Sequence, residues 1–370
     1  MTMKTEPRGI EVWLAGLFLA VGCSANPRSG NSAGAGSNPS GDDEFRRVLS
    51  KLGDLDTLAG AGKRQDGVNE WRAAFEGGPA VDAELSQPHN ALGDDDGNTY
   101  IADKDAHAIR MVRADGTLVT VAGVNAAGDD GDQPGPGRER HLNQPNGIWV
   151  KGDGTVFIVD LGNEKIRRLD ADGTLTTLFV VADLEEGRGL WVSDDETLVY
   201  LSSGTQLKRW RAEAGLDTYA DGFTELGNIW VDAEDPRAVY VTDRGAHRVY
   251  RVGADRQIAP IAGDGSANAT QWNAPALETS LNGVRGIWRD ALGGFLFATH
   301  AGSQVSYMDT QGFIHLLIDG SKDAHAGDGT PVTASGRKVS EVRSVTMNPQ
   351  GDVLVTEHDA GYVRVVHHKR

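Results

Sequence analysis

Six residues of this chain occupy one recurring slot and could together hold a negatively charged group. His89, Asn146, Arg188, Gly227, Arg285 and Arg343 each stand one place before the Gly or Asn of a repeated phrase, with Ser344 in the last copy. A guanidinium offers a planar fork of N–H donors that matches a carboxylate or phosphate with paired bonds. Three guanidiniums and one imidazole converging on a point would form an anion site in a chain whose formal charge is -17. The competing reading pairs each arginine with a nearby carboxylate such as Glu186 or Glu341, which leaves nothing for a ligand. The candidate ligand-binding set is therefore His89, Asn146, Arg188, Arg285 and Arg343, and whether its members meet depends on the fold.

Other chemistry-bearing residues read as structural. An acidic side chain recurs as Asp103, Asp160, Asp243 and Glu357 at the end of an apolar run, with Ser202 and His300 in the two remaining copies. Repetition argues for a shared job such as accepting backbone N–H bonds in a turn. Trp149, Trp191, Trp230 and Trp288 also recur, and large apolar side chains on repeated inner strands are expected to be core. Gly128-Asp129-Asp130-Gly131-Asp132 reads as a turn, because it lacks the spacing and closing Glu of an EF-hand loop. No Gly-x-Ser-x-Gly elbow, His-Glu-x-x-His pair or phosphate loop occurs, and Gly60-Ala61-Gly62-Lys63-Arg64 lacks the spacing and hydroxyl of a Walker loop. His107, His141, His247 and His315 show no gathering spacing. No catalytic residue, metal site or cofactor is expected.

The elements that must position the slot residues are themselves repeats. Trp149 opens one copy and Asp160 closes its second strand, and five further copies follow the same plan. A unit this short cannot bury its own faces and must pack against copies of itself. In the first copy the strands read 98–102, 108–112 and 117–122, joined by Ala114-Asp115-Gly116, where Gly supplies the positive φ of a tight turn. The last copy stops after Tyr362-Val363-Arg364-Val365-Val366, too early for a fourth strand. Asp54 to Gly60 reads like that missing strand. The expectation is an all-β, six-bladed β-propeller whose ring is closed by residues 52–59 pairing with 363–366, which removes exposed sheet edges.

Several runs carry a family resemblance. Asn98-Thr99-Tyr100-Ile101-Ala102-Asp103, His107-Ala108-Ile109-Arg110 and Gly116 to Gly123 resemble an NHL repeat, and Gly77 to Pro88 is similar to the connector between its blades. The resemblance spans about residues 52–370 and implies an NHL-type six-bladed propeller. Peptidyl-hydroxyglycine amidating lyases are similar in fold and set zinc-binding histidines after proline at such entries. Here only Pro88-His89 fits, and catalytic zinc usually needs three protein ligands. Lactone hydrolases of similar architecture hold calcium with Asn, Asp and Glu in the channel, where this chain offers Asn90 and Asn228. Connectors are long after copies six, one, four and five and short after two and three. They run over the face where inner strands begin, so the rim is expected to be lowest over blade three.

Composition bounds the rest. An acidic chain without a basic footprint is not expected to bind nucleic acid. The apolar run Val12–Val21 is about 15 Å long as a helix, too short to span a bilayer core, and reads as a signal peptide over residues 1–22. Leu19-Ala20-Val21-Gly22-Cys23 resembles a bacterial lipobox, which implies a lipid on Cys23, the only cysteine. Residues 23–41 form the lipidated start and a flexible tether, and 42–370 the propeller. Ser24 resembles the sorting residue of outer-membrane lipoproteins. The functional expectation is an exported, lipid-anchored binding or scaffold propeller that recognises a protein, peptide or glycan by its rim and central mouth. The alternative is a channel-centred hydrolase or lyase acting on an anionic small molecule.

Overall fold

The structure, a computed structural model, describes residues 39–62, 65, 67–232 and 234–369. The signal segment, Cys23 and most of the expected tether fall outside the described residues. Within them, six antiparallel sheets stand around an axis in a six-bladed β-propeller. The inner strands are Pro88–Gly93, Pro145–Val150, Leu190–Val192, Leu226–Val231, Val284–Arg289 and Val342–Met347. Each packs beside the next, and the last beside the first.

The apolar runs explain the stacking. Val156–Asp160 is buried at every position, because both faces of this strand meet other sheets. The core accordingly divides into six clusters, one between each pair of adjacent blades. Leu92 and Tyr100 meet Ile148 and Ile158 between blades one and two, and Ala59 and Val365 meet Ala91 and Ile101 between six and one. Close approach near the axis requires glycine. A Cβ on Gly147 would lie 2.1 Å from the Arg188 carbonyl oxygen, so the residue after the slot has no room for a side chain there.

The ring closes as the sequence predicts. Strand β1, Leu52–Ala59, runs antiparallel to Tyr362–His368, with Leu55 opposite Val366, Asp56 opposite Val365 and Thr57 opposite Arg364. The outer strand of blade six thus comes from the start of the propeller and its other three strands from the end.

Three findings go beyond or against the expectations. A helix, α1, spans Pro39–Lys51, so ordered structure begins inside the stretch read as tether. Its acidic first turn and basic last turn suit the helix dipole, and Phe45, Val48 and Leu49 form a stripe packed on blades five and six. Glu44 is buried and accepts hydrogen bonds from the Tyr307 hydroxyl (2.8 Å), the Thr310 backbone N–H (3.0 Å) and the Thr310 hydroxyl. Thr310 lies in a turn at the end of the ring where inner strands finish, so α1 sits at the end opposite the slot residues.

The long connectors, secondly, do more than raise the rim. Gly135–Pro136, Ala274–Pro275 and Thr330–Pro331 reach outward and add a short fifth strand to blades two, five and six. A cleft of about 580 Å³ lies over blade five, between its two flanking connectors. Lastly, Thr299 pairs with Gln304 as Asp103 pairs with Ala108. Thr299 therefore takes the repeat's acidic position in blade five, and His300 lies one residue beyond it. Among the described residues no helix is long and apolar enough to cross a membrane.

Candidate anion-binding mouth

Three positions per blade converge where the inner strands begin. The slot residues form one ring. Two places before them stand Gln87, Gln144, Glu186, Glu225, Gly283 and Glu341; one place after each repeated acidic position stand Lys104, Leu161, Ser203, Arg244, His300 and His358. The slot was legible as a repeat. The other rings were missed, although stepping one residue past each repeated acid would have found the last of them.

The repeated acids themselves are structural. Asp103 accepts from the Ser86 N–H at 2.6 Å, Asp160 from Asn143 at 2.7 Å, Asp243 from Thr224 and Glu225, and Glu357 from Ser340 at 3.0 Å. In blades one, two and six each also faces a fully buried arginine: Arg110 at 3.2 Å, Arg167 at 3.5 Å and Arg364 at 3.1 Å. Burial pushes Asp160 and Glu357 up to about 6 despite these partners. The acidic turn 128–132 is likewise satisfied internally: Lys165 Nζ lies 2.7 Å from Asp129 and 3.0 Å from Asp132.

At the mouth the slot residues divide. Arg343 donates to Nε2 of His89 at 3.2 Å and lies 3.6 Å from Asp359. The His89 ring stacks on His358 at 4.6 Å. Asn146 donates to the Gly187 carbonyl at 2.7 Å. Gly227 contributes no side chain, and a Cβ there would meet the Arg285 carbonyl oxygen at 2.8 Å.

Arg188 and Arg285 differ from the rest. They are 6% and 4% exposed, yet neither makes a side-chain hydrogen bond or ion pair among the described residues. The expected carboxylate partners are engaged elsewhere: Glu186 lies 3.9 Å from Lys104 and Glu341 is hydrogen-bonded with Asp359; Glu225, a further acid of the ring, pairs with Arg244. Burial is the main force holding both guanidiniums well below their ordinary range. Arg343 adds to it at Arg188, and Arg188 followed by Arg343 at Arg285. Lys104, Arg188, Arg244, Arg285 and Arg343 stand against the carboxylates of Glu186, Glu225, Glu341 and Asp359, which leaves the mouth with one positive charge in excess on an acidic protein.

The mouth is closed below. Ser344 Oγ donates to Asn90 at 2.7 Å and accepts from Asn228 at 3.4 Å, joining blades one, four and six across the axis. Beneath them Trp149 lies 6.3 Å from Trp191 and 6.2 Å from Trp288, centroid to centroid. About 10 Å³ remains between these layers, room for one water at most. The tryptophans are packing residues as expected, and three of them stop the channel; Trp230 packs instead on Tyr240 and Phe295.

His89 carries a pH consequence. Burial first, then His358, Arg188 and Arg343, hold its pKa well below 6.5. The unfolded chain therefore takes up this proton first, so stability is complete above about pH 6.5 and is lost as pH falls below it, by up to about 1.4 kcal/mol per unit. Urea unfolding at pH 7.5 and 5.5 should show this loss, and His89→Gln should shrink it.

Comparison with known proteins supports the fold. No protein-family model matches the chain, and no curated protein does. A Bacteroides thetaiotaomicron protein of unknown function superposes with a TM-score of 0.67 at 14% identity, over 86% of this chain and 76% of that one. An auxiliary nutrient binding protein from the same organism gives 0.62 at 12% identity, over 86% and 77%. A gluconolactonase from Xanthomonas campestris gives 0.56 at 13% identity, over 87% and 92%. The class is thus a six-bladed propeller, and its known structural neighbours include binding proteins and enzymes.

Proposed function

We propose that the protein is an extracytoplasmic, lipid-anchored binding propeller whose mouth captures an anionic group of a protein, peptide or glycan. The observation that carries this reading is the pair Arg188 and Arg285, buried and with no ion pair or side-chain hydrogen bond among the described residues, although Glu225 acts on both from a distance. Burying a charge unpaired is costly, and an arriving carboxylate or phosphate would supply the missing partner and the paired bonds. The lipobox-like Cys23 and the following Ser/Gly-rich stretch support export and anchoring.

Calorimetric titration of the full-length protein with oligogalacturonate, an oligoglutamate peptide and inorganic phosphate, each beside a neutral counterpart, tests the reading. At least one anionic probe should bind, more weakly as salt rises, and Arg188→Met should weaken it at least tenfold. Equal binding of charged and neutral probes, or unchanged binding by the variant, overturns it.

A second reading, a hydrolase or lyase acting on an anionic small molecule, is favoured by the acid and imidazole groups beside these arginines. Glu341 is pushed up to about 7, first by its hydrogen bond with Asp359, within reach of a general base or acid at neutral pH. Turnover of an anionic lactone or ester by the purified protein, lost in Glu341→Gln, would select it.

A further inference from the structure

We propose that His300, Glu341 and Asp359 form a site for one divalent transition-metal ion, Zn²⁺ or Mn²⁺, at the edge of the mouth. One ligand atom from each lies within 4.8 Å of the other two. Donors bound at about 2.1 Å to a common ion stand roughly 3–4 Å apart, so small rotations of three half-buried side chains complete the site. The trio joins blade five to blade six and lies far apart in sequence, so no spacing motif announces it.

The surroundings are built to hold these groups. Nε2 of His300 is buried without a hydrogen bond, 3.9 Å from Asp359. The Ser303 N–H bonds to the His300 carbonyl at 3.2 Å, and Ser303 Oγ accepts from the Glu341 N–H at 3.1 Å, fixing these two residues relative to each other. Asp359 is oriented from behind by His358 and by Arg343 at 3.6 Å, as second-shell partners orient metal-binding carboxylates. One imidazole with two carboxylates suits Zn²⁺ or Mn²⁺ better than Ca²⁺, which takes six to eight oxygens. Three protein ligands leave coordination positions open, and the 580 Å³ cleft reaches the site, since His300 and Glu341 both line it. The ligands are distinct from the arginine pair, although Arg285 is close enough to act on His300, so metal and anion are titrated separately.

The test uses untagged full-length protein stripped with EDTA, titrated with ZnCl₂ and MnCl₂ by calorimetry, with metal content read by mass spectrometry. One equivalent of one of these ions should bind, and His300→Ala should weaken it at least tenfold. Glu341→Gln should do the same, which covers the case in which the His300 variant fails to fold. Arg285→Met should keep the metal, or bind it several-fold more tightly because a neighbouring positive charge is gone, while losing anion binding. Failure of wild type to take up either ion in stoichiometric amount, or wild-type affinity in both ligand variants, overturns the site. Metal uptake by a protein that binds no anion would leave the site standing and remove the binding reading.

Discussion

Arg285→Met should raise the midpoint of thermal unfolding while abolishing anion capture. In the ligand-free protein this guanidinium is 4% exposed, has no carboxylate within ion-pairing distance among the described residues, and is repelled by Arg188 and Arg343. Methionine fills a similar volume without desolvating a charge. Replacing even a buried ion pair by apolar residues of matching size is often neutral or stabilising by about 1–4 kcal/mol, and an arginine without an ion pair forfeits less attraction, so a rise of a few degrees is expected by differential scanning calorimetry. A residue whose removal strengthens the fold and weakens binding is retained for the ligand. A lower midpoint for Arg285→Met would mean that the guanidinium is compensated within the protein and is not held for a ligand.

Arg364→Met should do the reverse. Arg364 is fully buried like Arg285, but its partners are complete: Glu357 at 3.1 Å, the Asp56 carbonyl at 3.2 Å and the Ala326 carbonyl at 2.9 Å. Through these bonds it ties the closing strand and a connector to the acid of blade six. Losing it leaves the buried Glu357 carboxylate with Ser340 but without its countercharge, with an expected loss of about 3–5 kcal/mol. The damage falls on the seam between the two ends of the propeller. Chemical denaturation of the two variants side by side reads both signs, and an Arg364→Met protein as stable as wild type would remove the account of the seam.

These two arginines also show what could be read from sequence. Each repeated feature sees the same surroundings in every copy, so a shared pattern reports a shared role. That is why the six blades, the closure by residues 52–59 and the N–H-accepting acids were legible. Arg188 and Arg285 were legible as candidates because the slot repeats. Their lack of partners was not, since it depends on where Glu186 and Glu225 find cations from other ring positions. His300 was assigned to the acidic position through a one-residue offset, and only the pairing of Thr299 with Gln304 fixes it. Helix α1 escaped notice because its short apolar stripe follows a low-complexity stretch and gains its order from blades five and six.

The tryptophan layer beneath Arg188 has a consequence for the kind of molecule that can engage this protein. With Trp149, Trp191 and Trp288 across the axis, nothing can thread the ring. A polymer can offer the arginines only a terminus or a short side branch, which must back out by the route it entered. Internal stretches of a long chain would lie across the lip and miss them. For a polymer whose anionic groups are terminal only, fragmentation should therefore increase occupancy of the proposed site in proportion to the new ends made.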